Sequence, residues 1–439
     1  MAEINRAVKG TNDILPSESY KYRFAEQKML DIASLYGFKE IRVPTFEHTE
    51  VFSRGVGEGT DVVQKEMYTF LDKGGRSITL RPELTAGVVR SMIERGVLNE
   101  ALPAKVCYIG ACYRYEKPQA GRLREFHQFG VECFGADNPS ADAEIISLAR
   151  QILISLGIKN IALKINSIGC EHCRKNYVAA LKEYFSEYKN TLCGTCNERL
   201  ERNTLRILDC KSPVCSDIAK NAPIITDYLC DDCKEHFSLV KQNLSAQNIP
   251  FEVDPHIVRG LDYYNRTVFE FVSGDIGAQS AVCGGGRYDG LVKKMGGGDT
   301  AALGFGLGIE RLMLLINNLK IELPEDKKCV LYIAAIGEKA QIEAGRICSA
   351  MRESGYISVT DLCGRGLKAQ MKYADKSGAK YCAVLGDDEL NSGKLEIKDM
   401  KTGEKYQCDI LSVAEKIDEI ECAAALRSLE NSVLKSDKL

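Results

Sequence analysis

No stretch of this 439-residue chain approaches the roughly 18–20 consecutive apolar residues that a membrane-spanning helix requires. The opening MAEINRAVKGTND lacks the apolar core of a secretory signal, so a cytosolic protein with no membrane partner is expected. Net charge is nearly absent too. The 58 Lys and Arg against 61 Asp and Glu leave −3, which gives no global pull toward nucleic acid. Any RNA contact must therefore come from local basic patches. Internal repeats and low-complexity tracts are also missing. What remains is ordinary globular composition, 45% hydrophobic and 27% charged, in a chain long enough for two or three domains and a large core without disulfides.

Cysteine is what the chain has in excess, with 18 residues. In a reducing compartment these are thiols or metal ligands rather than disulfides. Cys170-x2-Cys173 and Cys193-x2-Cys196 have spacing suited to a tetrahedral zinc site with four thiolate ligands, and Cys210, Cys215, Cys230 and Cys233 can form another. Reduced, partly buried thiols are the alternative.

Helical periodicity over 18–37 stops at Gly37, and a strand at Lys39–Val43 meets Pro44. Residues 78–95 read as strand, turn at Arg81-Pro82 and helix, and Ser140–Leu156 as another helix. From about 160 to 250 the pattern is mostly helical and Cys-rich, an insertion of about 170–240. Strand signals return at Thr267–Val272 and ahead of the glycines at 284–286, and Ala302–Asn317 reads as strand, Gly-punctuated turn and helix. Leu319–Lys328 has the composition of a linker, and alternating strands and helices beyond it predict a small α/β domain.

The stretch YRYEKPQAGRLREFHQFGVE, Tyr113–Glu132, reads as two strands joined by a basic loop. Period-2 alternation puts Cys112, Arg114 and Glu116 on one face and Phe126, Gln128 and Glu132 on one face of the second strand. Arg122 and Arg124 fall in the loop. Such a cluster suits a polyanion beside a small polar molecule. Arg311, in the first turn of a helix after a Gly-rich strand end, suits a phosphate as well, because helix N-termini attract anions. A solvent-facing Arg at a close-packed joint is its bland reading.

These segments resemble motifs of class II aminoacyl-tRNA synthetases: motif 1 at about 20–50, motif 2 at 106–134 and motif 3 at 302–316. RGLDYYNRTVFEF (Arg259–Phe271) and CGGGRYDGLV (Cys283–Val292) closely resemble the two signatures of histidyl-tRNA synthetases, and TLRPELTAG (Thr79–Gly87) their amino-acid-binding turn. The resemblance runs from about residue 5 to about 420. It implies an α/β protein with an α+β catalytic core at 1–325, built on a class II antiparallel sheet with flanking helices and a mostly helical insertion. An anticodon-binding domain at 329–425 and a tail at 426–439 complete the expectation.

By that resemblance the substrates are ATP, L-histidine and tRNA(His), with Mg²⁺ on the nucleotide, and the chain works as a homodimer. Glu83, Leu84, Thr85, Gln128, Glu132, Tyr263, Tyr264 and Tyr288 are the expected histidine contacts, with Arg114 and Arg259 shared between substrates. Glu132 with Tyr264 or Tyr288 can pair both ring nitrogens of histidine. Arg114, Glu116, Arg122, Phe126 and Arg311 are expected at ATP, and Arg259 and Arg114 are the expected catalytic pair. Spacing, not the resemblance, makes Cys170, Cys173, Cys193 and Cys196 the candidate structural zinc site, since the family's insertion does not require a metal.

Plainer roles stand beside these. Glu83 can cap the helix after it, Arg259 can make a structural ion pair, and Tyr263 and Tyr264 can be ordinary half-buried aromatics. His127 faces away from Gln128 by alternation and reads as a packing residue, whereas Arg287-Tyr288-Asp289 reads as a ligand loop. Lys368, Lys372 and Lys376 recur every four residues, as a solvated face or an RNA contact would. No side chain stands out as the base for transfer to tRNA. The rival function is a non-catalytic paralogue, a regulatory subunit of ATP phosphoribosyltransferase.

Overall fold

Lys39–Glu40 (β1) pairs in parallel with Ala104–Tyr113 (β2), which turns back into Glu125–Phe134 (β3), and this hairpin begins the main sheet. The computed structural model describes residues 5–57, 60–208, 210, 212–257, 259–276 and 281–436. Ala162–Ser167 (β4), Glu252–Val253 (β5), Asn265–Val272 (β6), Ala281–Arg287 (β7) and Ala302–Gly308 (β8) complete an eight-stranded sheet in the order β1-β2-β3-β8-β7-β6-β4-β5. Only its two outermost pairs, β1/β2 and β4/β5, are parallel.

Alternation divides the sheet into an apolar and a polar face. Phe129, Val131 and Cys133 of β3 and Leu303, Phe305 and Leu307 of β8 are buried on one side. Against them pack the helices Pro16–Leu35 (α1), Pro139–Ser155 (α3) and Ile309–Asn318 (α8), through residues such as Met29, Ile146 and Leu312. The helix Thr85–Glu94 (α2) belongs to a second cluster with Leu84, Tyr108, Tyr264 and Tyr288 on the other side of the sheet. No turn separates β8 from α8, contrary to expectation: Gly308 ends the strand and Ile309 starts the helix. The expected strand at Lys39–Val43 is cut to two residues, because Pro44 and the curl of the chain around Arg81 end its pairing.

The Cys-rich segment folds as Glu171–Glu187 (α4), Gly194–Arg202 (α5), Pro213–Ala219 (α6) and Asp231–Ala246 (α7). The first turn of α7 belongs to the segment's own small core through Cys233, whereas Phe237, Val240 and Leu244 enter the main core. Its root is thereby welded to the main sheet.

The chain separates into two units between Pro324 and Glu325, inside the expected linker. In the second unit Leu331–Ala335 (β9), Ser358–Thr360 (β10), Tyr381–Leu385 (β11), Lys394–Asp399 (β12) and Lys405–Asp409 (β13) form a sheet in the order β10-β9-β11-β12-β13. Leu331 and Ile333 face Glu338–Glu353 (α9) and Val413–Ser436 (α11), while Tyr332 and Ala334 face Ala374 of Leu367–Lys376 (α10). Lys368, Lys372 and Lys376 are all exposed along α10. The expected tail starts inside α11, and its last three residues lie outside the described ones. No helix among the described residues is long and apolar enough to cross a membrane.

Candidate active site

The polar face of the sheet is the floor of a cleft of about 690 Å³. Phe126, Gln128 and Glu132 point into it from β3, at the spacing alternation requires. Beside them β8 carries glycine at 304, 306 and 308, paired with Glu132, Gly130 and Gln128. Gly304 is needed for room: a Cβ there would overlap the Glu132 carboxylate and the Val131 carbonyl oxygen. The run GFGLG is thus a period-2 pattern that clears the floor. That signal lay in the sequence and was read only as a strand end.

Glu132 closes one end, 1% exposed. Its Oε1 accepts hydrogen bonds from Thr85 Oγ1 at 2.7 Å and Tyr108 OH at 2.8 Å, and its Oε2 accepts one from Tyr288 OH. Burial pushes its carboxyl up to about 8, against the pull of the three hydroxyls, with Tyr288 first among them. Of Tyr264 and Tyr288, each expected to join Glu132 at the histidine ring, Tyr288 donates to Glu132 itself. Tyr108 was missed, although it shares the Gly110 and Cys112 face by alternation. Tyr264 instead lies 4.7 Å from Tyr263, centroid to centroid, and under the Arg259 guanidinium at 5.5 Å.

Glu83 is buried and caps α2: Oε2 accepts from Thr85 N and Oε1 from Ala86 N, both at 2.7 Å. Its plainer role is therefore realised, although the side chain also lines the cleft. Leu84 does not line it; its side chain is buried in the apolar cluster around Tyr108 and Val88. Gln128 borders the middle of the cleft, its Oε1 accepting a weak bond from Cys112 Sγ at 3.5 Å.

The opposite end is cationic. Arg114 donates from Nε to Pro82 O at 2.8 Å and lies 5.2 Å from the Phe126 ring centre. It follows the end of β2 rather than sitting on the strand, as does Glu116. Glu116 holds Arg122 Nη1 at 3.0 Å. Arg311 donates from Nε to Gly121 O at 2.9 Å and from Nη1 to Ala281 O at 2.8 Å. Burial, then the neighbouring Arg122 and Arg114, lower its pKa despite Glu116, so three guanidinium groups share one field. Arg124 turns away and stacks on Tyr115 at 4.0 Å.

Between the two ends stands Arg259, ion-paired with Glu270 and with its buried Nε unpartnered among the described residues. His127 faces away as expected. Its backbone N and Nδ1 both meet the Glu310 carboxylate, tying β3 to α8. Arg287, expected in a ligand loop, is instead fully buried. It bridges Asp142 at 2.5 Å, Asp289 at 3.2 Å and the Ala136 carbonyl at 2.8 Å, while His236 of α7 also reaches Asp142. Alternation sends Arg287 to the packed face while Tyr288 leaves the strand toward the cleft.

The cysteines also regroup. Cys170 and Cys173 come together with Cys230 and Cys233, and Cys193 and Cys196 with Cys210 and Cys215. The expected pairing of the first four in sequence order is not formed. α4 and α7 run out from neighbouring points of the core, so the first and last pairs meet at the base and enclose the inner two.

A mostly antiparallel sheet with a polar floor, flanking helices and a separate α/β unit is the fold of a class II aminoacyl-tRNA synthetase. The family profile described as histidyl-tRNA synthetase matches residues 10–172 and 217–312, and one described as anticodon binding domain matches 330–420. The chain belongs to the histidyl-tRNA synthetase family. It is 55% identical to a histidine–tRNA ligase of Acetivibrio thermocellus over 93% of this chain and 98% of that one. Against a histidine–tRNA ligase of Caldanaerobacter subterraneus the identity is 53%, over 96% and 99%. The apo crystal structure of Staphylococcus aureus histidyl-tRNA synthetase superposes with a TM-score of 0.80 at 38% identity, covering 94% of this chain and 100% of that one.

Proposed function

We propose that the chain activates L-histidine with ATP and transfers it to the 3′ end of tRNA(His). The observation that carries this reading is Glu132, a buried carboxyl facing three hydroxyls at the closed end of a cleft whose other end is cationic. Neutral imidazole offers one donor and one acceptor, which a protonated carboxyl and a phenol oxygen can match. Glu132 and Tyr288 take the ring, while Glu83, Thr85 and Gln128 hold the ammonium and carboxylate ends. Tyr263 and Tyr264 wall the pocket. Substrates without that ring leave buried polar groups unpaired, a penalty that can reach ~10⁴-fold in discrimination.

In the first step a histidine carboxylate oxygen attacks the α-phosphorus of ATP. The bond to the bridging oxygen breaks and pyrophosphate leaves. A carboxylate is already nucleophilic, so alignment and charge neutralisation are what the protein must supply. Arg259 and Arg114 flank the α-phosphate, Arg122 and Arg311 hold the β/γ end, and adenine stacks on Phe126. Glu116 and Glu270, hard oxygen donors on the cleft wall, suit a nucleotide-bound Mg²⁺. That ion would neutralise the departing pyrophosphate. In the second step the terminal ribose hydroxyl of tRNA attacks the adenylate carbonyl and AMP leaves. A homodimer in the cytosol, with the second unit on the anticodon arm, completes the reading.

ATP–pyrophosphate exchange with each of the twenty amino acids tests it. Exchange with histidine alone is expected. Histidine binding without exchange would favour the regulatory paralogue, against which Arg114, Glu116, Arg259, Arg311 and the second unit all speak.

A further inference from the structure

We infer that the insertion holds two structural zinc ions, one on Cys170, Cys173, Cys230 and Cys233 and one on Cys193, Cys196, Cys210 and Cys215, and that they brace the loop at 260–264 in the cleft wall. In each group the four sulfurs lie within 4.8 Å of one another. A tetrahedral ion with Zn–S bonds of about 2.3 Å sets its sulfurs about 3.8 Å apart. The resolved separations bracket that value: 3.5 Å for Cys170–Cys173 and 3.9 Å for both Cys170–Cys230 and Cys193–Cys210. They are far beyond the ~2.05 Å of a disulfide. Four sulfurs this close surround a single ion rather than an iron–sulfur cluster.

Local structure repeats the same solution. Cys170, Cys193 and Cys230 each occupy the N-cap of a helix, and Cys173, Cys196 and Cys233 its third position. Cys215 is the third residue of α6. Helix N-termini favour thiolates, and amide groups point at the sulfurs: Cys230 N to Cys173 Sγ at 3.1 Å, Cys193 N to Cys215 Sγ at 3.2 Å. At Gly169, with φ +66°, a Cβ would lie 2.5 Å from the Cys173 Cβ, so the tight turn before the first ligand pair admits no side chain. The core around these cysteines is small, the setting in which a metal staple contributes most to stability.

Each site sits beside an arginine that reaches the cleft wall. Arg174, next to Cys173, donates to the carbonyls of Asp262 and Tyr264. Arg206, between α5 and Cys210, donates to Gly260 O at 2.7 Å. The metals thereby fix the arginines that fix the loop.

Elemental analysis of the full chain, purified without chelator, should find two zinc ions per chain, and crystals should give two anomalous peaks at the zinc edge, one within each sulfur group. Changing Cys170, Cys173, Cys230 and Cys233 together to Ser should leave one zinc. Changing Cys170, Cys173, Cys193 and Cys196 together should leave none. Pairing in sequence order predicts the reverse, none and one. Should the variants not fold, the anomalous peaks of the unaltered protein still decide the partition. Absence of zinc, or iron in its place, overturns the assignment. Stripping zinc should raise amide hydrogen exchange across 260–264 several-fold, and unchanged exchange there overturns the bracing. None of these readouts depends on the chain being a ligase.

Discussion

The two ends of the cleft solve opposite electrostatic problems on one sheet. At the closed end a carboxylate is stripped of water and given only neutral hydroxyl partners, so burial raises its pKa and it exchanges a proton near neutrality. At the other end Arg114, Arg122 and Arg311 crowd together, held by backbone carbonyls and one acid. Like charges repel there until a polyanion enters. Under the proposed function, one end recognises a small titratable molecule, and the other holds a field that a triphosphate would relieve.

Arg259 stands where the ends meet, so its loss should give the largest effect of any change that leaves the fold intact. Arg259→Ala should lower the rate of histidine-dependent pyrophosphate exchange on the order of 10²–10³-fold, about 3–4 kcal/mol, the size found for removing one preorganised oxyanion donor. Circular dichroism and thermal melting should remain near those of the unaltered protein. An undiminished exchange rate would reduce Arg259 to its ion pair with Glu270.

Glu132→Gln tests the closed end alone. The amide keeps the shape but cannot exchange a proton, and its NH₂ faces hydroxyls that donate toward it. The Michaelis constant for histidine should rise roughly ten- to a hundredfold, the range for a hydrogen bond to a charged group. That for ATP should hold. Equal changes in both constants would mean that the ends are not separate.

The pH dependence follows from the same carboxyl. In the proposed complex histidine and Glu132 share one proton between them. Between the imidazole pKa, roughly 6.5, and that of Glu132, about 8, the free partners already carry that one proton in total. Above about 8 both are deprotonated and binding must take up a proton, so affinity should fall up to about tenfold per pH unit. Below roughly 6.5 both are protonated and binding must release one, so it falls again. Isothermal titration at several pH values reads both limbs, and Glu132→Gln should abolish only the alkaline one.

The floor residues of β3 were legible because period-2 alternation is a local rule, whereas Glu83, Arg259 and Tyr288 were expected from the resemblance of their segments to family motifs. The β2/β3 hairpin places Phe126, Gln128 and Glu132 on one face as alternation requires. Legibility failed where partners come from distant segments. Tyr108 serves Glu132 across a strand pair, Arg287 answers Asp142 from another element, and the cysteine pairs nest because α4 and α7 emerge together. Leu84 shows another limit: next to two cleft residues, its side chain joins the core because the first turn of α2 rotates it inward.

The floor itself offers the finest discrimination between the ends. A Cβ at Gly306 would lie 3.3 Å from Gln128 Nε2, a side-chain atom that can yield, whereas at Gly304 it would strike a backbone carbonyl that cannot. Gly306→Ala should therefore fold normally and raise the histidine Michaelis constant only about five- to tenfold, a mild overpacking cost near the bottom of its usual range of 1–3 kcal/mol. Gly304→Ala should lower the melting temperature and abolish histidine binding. If Gly306→Ala weakens ATP as much as histidine, Gln128 belongs to neither end in particular, and the boundary between the two regions lies closer to Glu132 than drawn.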